Sequence, residues 1–192
     1  MKWIIITLLA FCATFAISEG AVFDFNGTLS GSLGEALDGE QGPIPYTNGG
    51  IEATFSTAVG NIMNAASSDF GIDSGTSTED DLDAFNLGEW LDITFDSLVT
   101  LTDITVSSFG SGNQGVIYVN GVSNGVINAS GSTTFDIDVA VGQTLRIEGT
   151  GQTNETNGWS LDSMTVVPEP ATMAMFGIGG LVAFLVRRSS RR

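Results

Sequence analysis

Apolar and polar residues alternate along much of the chain between residues 21 and 166, which is typical of β-strands that are buried on one face. The clearest runs are residues 90–95 and 134–141. Asn120-Gly121 separates two further apolar runs, and this pair suits the positive φ angles of a type I′ hairpin turn. The pattern therefore predicts an all-β fold with very little helix.

Eight or nine short strands with Gly-, Asn- and Ser-rich turns predict a single β-sandwich with jelly-roll-like connections. In addition to the runs above, strands are expected at residues 22–29, 51–57, 102–106, 145–148 and 160–166. Helix is expected only as single turns near residues 58–66 and 78–85. Residues 31–50 are predicted to form a long surface loop.

The chain is strongly acidic, with 22 Asp and Glu against 6 Lys and Arg and a formal net charge of −16. Apart from Glu19 and Glu169, the acidic residues all lie between residues 21 and 166, where Arg146 is the only basic residue. This charge argues against nucleic acid as a partner. The chain has no histidine, which excludes Ser-His-Asp and Cys-His catalysis and zinc sites that need imidazole.

Residues 1–18 have the layout of a secretory signal peptide, with a basic start, an uncharged apolar run and small residues at the cleavage position. Ala16 and Ser18 fit the shallow −3 and −1 pockets of a signal peptidase, which predicts cleavage before Glu19; cuts two residues earlier or later are alternatives. A retained membrane anchor is the competing interpretation, although the run is short for a span. The only cysteine, Cys12, lies in this run, so the rest of the chain has no disulfide.

Residues 167–192 contain three consecutive elements. Pro168-Glu169-Pro170 comes first, residues 171–186 carry no charge, and the chain closes on four arginines: Arg187, Arg188, Arg191 and Arg192. A helix over residues 171–186 is about 24 Å long, which approaches the ~30 Å thickness of a bilayer core. We predict a transmembrane helix there, with the arginines holding the C-terminus in the cytoplasm while the rest of the chain is exported.

This order of elements behind a signal peptide resembles the PEP-CTERM proteins. In that family the tail is a sorting signal, and an integral-membrane exosortase, a protease or transpeptidase, cleaves near it. The resemblance implies that Pro168, Glu169 and Pro170 are the recognition element and that the terminal arginines stop transfer. It also implies an exosortase-like partner, a single-pass anchored intermediate, and final delivery to the cell surface or extracellular matrix.

The resemblance covers only the tail, so the predicted organisation is a signal peptide at 1–18, an acidic ectodomain at 19–166 and a sorting tail at 167–192. Two prolines two residues apart disfavour both helix and sheet. We therefore expect the stretch around Glu169 to stay outside the fold as a joint that a protease can reach.

The densest group of acidic residues lies in a Gly- and Ser-rich stretch: Asp69, Asp73, Glu79, Asp80, Asp81 and Asp83. Carboxylate oxygens on flexible loops are the ligands that Ca²⁺ prefers, but the spacing does not match an EF-hand. Two interpretations remain open, a calcium site and a solvated acidic loop that favours solubility, and the second is preferred. No other cofactor is predicted.

Aromatic rings can stack on sugars, and Trp159 lies between a polar loop and the last predicted strand. It is expected either to border a ligand-binding face or to cover the core, whereas Trp90 is expected in the core. Asp136, Asp138 and Glu148 are candidate glycosidase carboxylates, but acidic residues are too numerous for any pair to be diagnostic.

No catalytic residue is therefore predicted. The sequence predicts a non-enzymatic, exported β-sandwich protein. A calcium-dependent or carbohydrate-binding module is the alternative, with extracellular polysaccharide as a further candidate partner.

Overall fold

The computed structural model of the chain describes residues 20–27, 31–65, 70–73, 82, 89–110, 112–150 and 158–169. These residues contain twelve strands and one short helix, which confirms the all-β prediction. Gly20–Pro168 forms one compact unit.

In chain order the strands are β1 (Ala21–Asp24), β2 (Ile44–Asn48), β3 (Ile51–Thr57), β4 (Ile62–Ala65), β5 (Phe70–Asp73), β6 (Trp90–Phe95), β7 (Val99–Ser107), β8 (Gln114–Val119), β9 (Val122–Ile127), β10 (Gly131–Val139), β11 (Thr144–Thr150) and β12 (Ser160–Pro168). The helix α1 (Leu33–Leu37) lies between β1 and β2.

The strands form two large sheets and one small one. The four-stranded sheet has the order β1-β12-β7-β10, the six-stranded sheet has the order β2-β3-β6-β11-β8-β9, and β4 pairs with β5. Every pairing among the described strands is antiparallel. From β6 onward the chain passes from one large sheet to the other at each step except the β8–β9 hairpin. In the six-stranded sheet, β11 lies between β6 and β8.

The two large sheets share one hydrophobic core. Phe23 on β1 and Phe55 on β3 belong to different sheets, and their ring centroids are 5.7 Å apart in an edge-to-face contact. Phe25 lies 6.0 Å from Phe55 and 5.0 Å from Phe70, which extends the aromatic cluster towards β5. Each such aromatic pair contributes about 0.5–1.5 kcal/mol to stability, in addition to the stabilisation that comes from burying its apolar surface. The sheets therefore pack face to face, as in a β-sandwich; the jelly-roll-like connection remains a prediction.

Two local predictions are confirmed in detail. β3 begins and ends at the predicted residues, Ile51 and Thr57. The turn between β8 and β9 has φ angles of 49° at Asn120 and 77° at Gly121, as a type I′ turn requires.

The prediction of a long loop over residues 31–50 was wrong, because this stretch holds α1 and β2. Ser32 caps α1, since its Oγ accepts a hydrogen bond from Glu35 N–H at 3.2 Å. The buried Leu33 and Leu37 fix the helix against the core. Ser32 and Glu35, three residues apart, match the capping-box pattern. The start of this helix could therefore have been predicted from the sequence.

The helical turn predicted near residues 58–66 was also wrong, because β4 occupies its second half. β4 pairs with β5, and Met63 on β4 is completely buried in the hydrophobic core. Tertiary pairing here overrides the local helix propensity of the alanines. The other predicted helical turn, residues 78–85, lies outside the described residues apart from Leu82.

Candidate functional site

The centre of the six-stranded sheet carries a polar outer face. In β6, Leu91 points into the core, whereas its neighbours Trp90 and Asp92 lie on the opposite face. The same alternation in β11 places Arg146 on that outer face. Antiparallel pairing sets Arg146 opposite Asp92 on one side and opposite Tyr118 on the other.

Arg146 is held by Asp92 and Trp90. Its Nε donates to Asp92 Oδ1 and its Nη2 donates to Asp92 Oδ2, each at 2.7 Å. The guanidinium carbon lies 4.3 Å from the centroid of the Trp90 ring, in a cation–π contact. The Arg146 and Asp92 side chains are 34% and 22% exposed, so solvent screens the ion pair and its contribution to stability is about 1 kcal/mol.

The pKa of Arg146 is raised above its usual value, chiefly by the hydrogen bond from the guanidinium to Asp92. Partial burial lowers this pKa, and the nearby carboxylates of Asp92 and Glu148 raise it further. The guanidinium therefore stays charged wherever the domain is folded, and it acts as a fixed donor.

A surface cavity of about 490 Å³ opens beside the ion pair. Six residues supply its polar lining: Asp92, Tyr118, Asn120, Thr144, Arg146 and Glu148. They combine carboxylate acceptors, guanidinium donors, and hydroxyl and amide groups that can donate and accept. The volume lies in the range of small-molecule sites.

The rim of this cavity is tied to the sheet. Asn120 N–H donates to Thr144 O at 2.9 Å, and Thr144 N–H donates to Asn120 Oδ1 at 3.1 Å. These reciprocal bonds fix the β8–β9 turn against β11. The cavity is therefore a formed feature of the fold.

Sequence analysis missed this site. The expectation that Trp90 lies in the core was wrong, because its side chain is partly exposed on the outer face. Trp90 lies two and four residues before Asp92 and Thr94, so all three side chains are on the same face of the strand. The polar character of Asp92 and Thr94 was the signal that this face points outward. For Arg146 the sequence offers only its position as the one basic residue between residues 21 and 166.

The prediction that Trp159 borders a ligand-binding face is corrected by its burial, because the side chain has no exposed surface. Its ring lies 5.8 Å from the Phe109 ring. Gly115 leaves room for it, since a Cβ there would approach the indole to 2.8 Å. Trp159 also exchanges backbone hydrogen bonds of 3.2 and 2.7 Å with Leu82. The alternative expectation, a residue that covers the core, fits this environment.

Asp73 is the one member of the predicted calcium cluster that the structure describes, and it ends β5 opposite Ile62. The other members, Asp69, Glu79, Asp80, Asp81 and Asp83, lie outside the described residues. Within the described ranges, no group of three or more His, Cys, Asp or Glu side chains is placed to hold a metal ion. Calcium binding by this cluster stays a prediction.

The three candidate glycosidase carboxylates do not come together. Asp136 and Asp138 are exposed on β10 of the four-stranded sheet, where Asp138 Oδ1 accepts a hydrogen bond from Thr100 Oγ1 at 2.9 Å. Glu148 lies on β11 of the six-stranded sheet and lines the cavity.

The start of the sorting tail belongs to the sheet. Pro168 is the last residue of β12 and pairs with Val99 on β7, so the expectation that both prolines stay outside the fold was wrong for Pro168. Its position explains this. The pairing of β12 with β1 ends at Val166, and a proline that lacks an N–H is tolerated at such a strand end. Glu169, the next residue, is exposed.

The remaining predictions on the termini fall outside the described residues: the signal peptide at 1–18, Pro170, the helix at 171–186, and Arg187, Arg188, Arg191 and Arg192. Among the residues that the structure does describe, no helix has the length and apolar character needed to cross a membrane.

Comparison with known proteins identifies the tail. Residues 166–192 match the PEP-CTERM protein-sorting motif, which confirms the resemblance seen in the sequence. Such signals are recognised by exosortase, a membrane enzyme, so the motif supports export and exosortase targeting of this chain.

No curated protein matches the sequence. Among solved structures, the chain is similar to a Podospora anserina GH26-CBM35 β-(1,4)-mannanase, with 12% identity and a TM-score of 0.36. The match covers 79% of this chain but 28% of the mannanase chain.

Proposed function

We propose that the chain is a non-enzymatic protein of the cell surface or extracellular matrix that reaches its destination through the C-terminal sorting tail. The match of residues 166–192 to the sorting motif carries this proposal. A signal peptide at 1–18 starts export, and an apolar helix at 171–186 holds the chain in the membrane with its arginines in the cytoplasm. Exosortase then cuts near Glu169 and releases the domain from its anchor.

The charge of the chain supports an extracellular role. A net charge of −16 keeps an exported domain dispersed in water through mutual repulsion. It also allows divalent cations to bridge the domain to acidic extracellular polymers. Neither property requires a catalytic site.

Protease treatment of intact cells tests the destination. We expect an antibody against the domain to detect it in the extracellular fraction or on the surface, where added protease removes it while a cytosolic marker survives. The result would contradict the proposal if the domain remained in the cytosolic fraction, protected until the cells were lysed.

A carbohydrate-binding module is the second candidate function, and the cavity beside Arg146 favours it. Calcium dependence is a separate feature of that candidate. If the acidic stretch around Asp73 binds Ca²⁺, the melting temperature rises on addition of Ca²⁺. A chelator then returns the melting temperature to its value without Ca²⁺. A melting temperature that is unchanged by Ca²⁺ would rule this feature out.

A further inference from the structure

We infer that the cavity beside Arg146 on the outer face of the six-stranded sheet binds a neutral saccharide. The inference deepens the second candidate function, and it rests on the proposed function only for bringing the domain to a place where polysaccharide occurs. It assigns the role to the face that carries Arg146 and Glu148, in place of the buried Trp159.

The hydrogen-bonding groups of the cavity suit sugar hydroxyls. Each hydroxyl both donates and accepts, so a sugar requires acceptors and donors within one small volume. The carboxylate of Glu148 accepts, and the guanidinium of Arg146 keeps N–H groups beyond the two that Asp92 engages. The Tyr118 hydroxyl can do both. The cavity is an open surface depression of about 490 Å³, which is large enough for a short stretch of a saccharide chain.

The charge of the face selects a neutral ligand. Asp92 neutralises Arg146 through two hydrogen bonds, so Glu148 leaves the cavity with a net negative charge. The rest of the domain is acidic as well, which repels anionic polymers such as polyuronates. A neutral sugar does not meet this repulsion, and its hydroxyls can use the donors and acceptors of the cavity.

Strand pairing and side-chain contacts hold the groups of the site in place. Strand β11 is paired on both sides, with β6 and with β8. Asp92 and Trp90 hold the guanidinium in one plane, and they act as positioning residues. The Tyr118 ring, half-buried on the neighbouring strand, offers an apolar surface for the C–H face of a sugar. Groups that are already fixed lose little entropy on binding, which favours affinity for a flexible chain.

Calorimetric titration of the full chain, purified in detergent, tests the inference. The probes are cellohexaose, mannohexaose and xylohexaose as neutral oligosaccharides, with hexagalacturonate as the anionic counterpart. With a chelator present to remove bridging divalent cations, we expect at least one neutral probe to bind, with an affinity that changes little between low and high salt, and hexagalacturonate not to bind.

Two conservative variants locate the site. Glu148→Gln removes a charged acceptor and Tyr118→Phe removes one hydroxyl, and each is expected to weaken binding about tenfold while the melting temperature stays near that of the wild type. Glu52→Gln, exposed on β3 of the same sheet, and Tyr46→Phe, partly buried on β2, are the matched controls and should leave binding unchanged.

The inference is overturned if no neutral probe binds, if the anionic probe binds equally well, or if Glu148→Gln and Tyr118→Phe bind like their controls. Because the titration uses purified protein, it is independent of cellular location. A chain that binds the sugar but stays in the cytosol would refute export and support the binding site. A chain that is exported but binds no sugar would refute the binding site and support export.

Discussion

Replacing Trp159 with alanine is expected to destabilise the domain by about 3–5 kcal/mol, the cost of emptying a large buried aromatic position. The side chain has no exposed surface and packs against the Phe109 ring. Its backbone is bridged to Leu82 in a second segment of the chain, so the loss is not confined to one strand. Urea unfolding of the full chain should show a lower midpoint with an unchanged slope.

Trp90→Ala is the matched control, since it removes the same side chain from the outer face of the sheet. Trp90 is partly exposed and its cation–π contact with Arg146 contributes about 1 kcal/mol, so a much smaller shift of the midpoint is expected. Equal losses of stability in the two variants would mean that Trp159 is not the buried residue described above.

Replacement of Pro168, Glu169 and Pro170 with alanine is expected to abolish processing of the C-terminus, because these residues are the predicted recognition element of the sorting motif. The unprocessed chain should then accumulate in the membrane fraction. Intact-mass measurement separates the two forms, since the processed chain lacks the apolar run and the terminal arginines.

The position of Pro168 in β12 requires a second variant, because its substitution also changes a strand end. Glu169→Ala alters an exposed residue outside the strand and tests recognition alone. Pro45→Ala, at an exposed position on the edge strand β2, controls for the general loss of a proline. If the triple-alanine variant were processed like the wild type, the motif would not be the element that the processing enzyme recognises.

The elements that were correctly predicted from the sequence are those that short patterns of neighbouring residues determine. The alternation in residues 51–57 sets β3, and Asn120-Gly121 sets the β8–β9 turn, without reference to the rest of the chain. β4 was missed because its identity depends on pairing with β5, which the local composition does not reveal. The helix α1 was missed because it has only five residues and its start lies in a glycine-rich stretch.

The candidate site was beyond sequence reasoning for a related reason. Asp92 and Arg146 are separated by 54 positions and meet only because β6 and β11 are neighbours in one particular register. A shift of one residue in either strand would send one of the two side chains to the core face. The tail is the opposite case, because its three elements are contiguous and can be read directly from the sequence.

Intact mass spectrometry of the mature protein, isolated from the cells that make it, tests the sorting account most directly. The account predicts a chain that starts near Glu19 and stops near the Pro168-Glu169-Pro170 motif, without the closing arginines. A mature chain whose mass extends to Arg192 would contradict it.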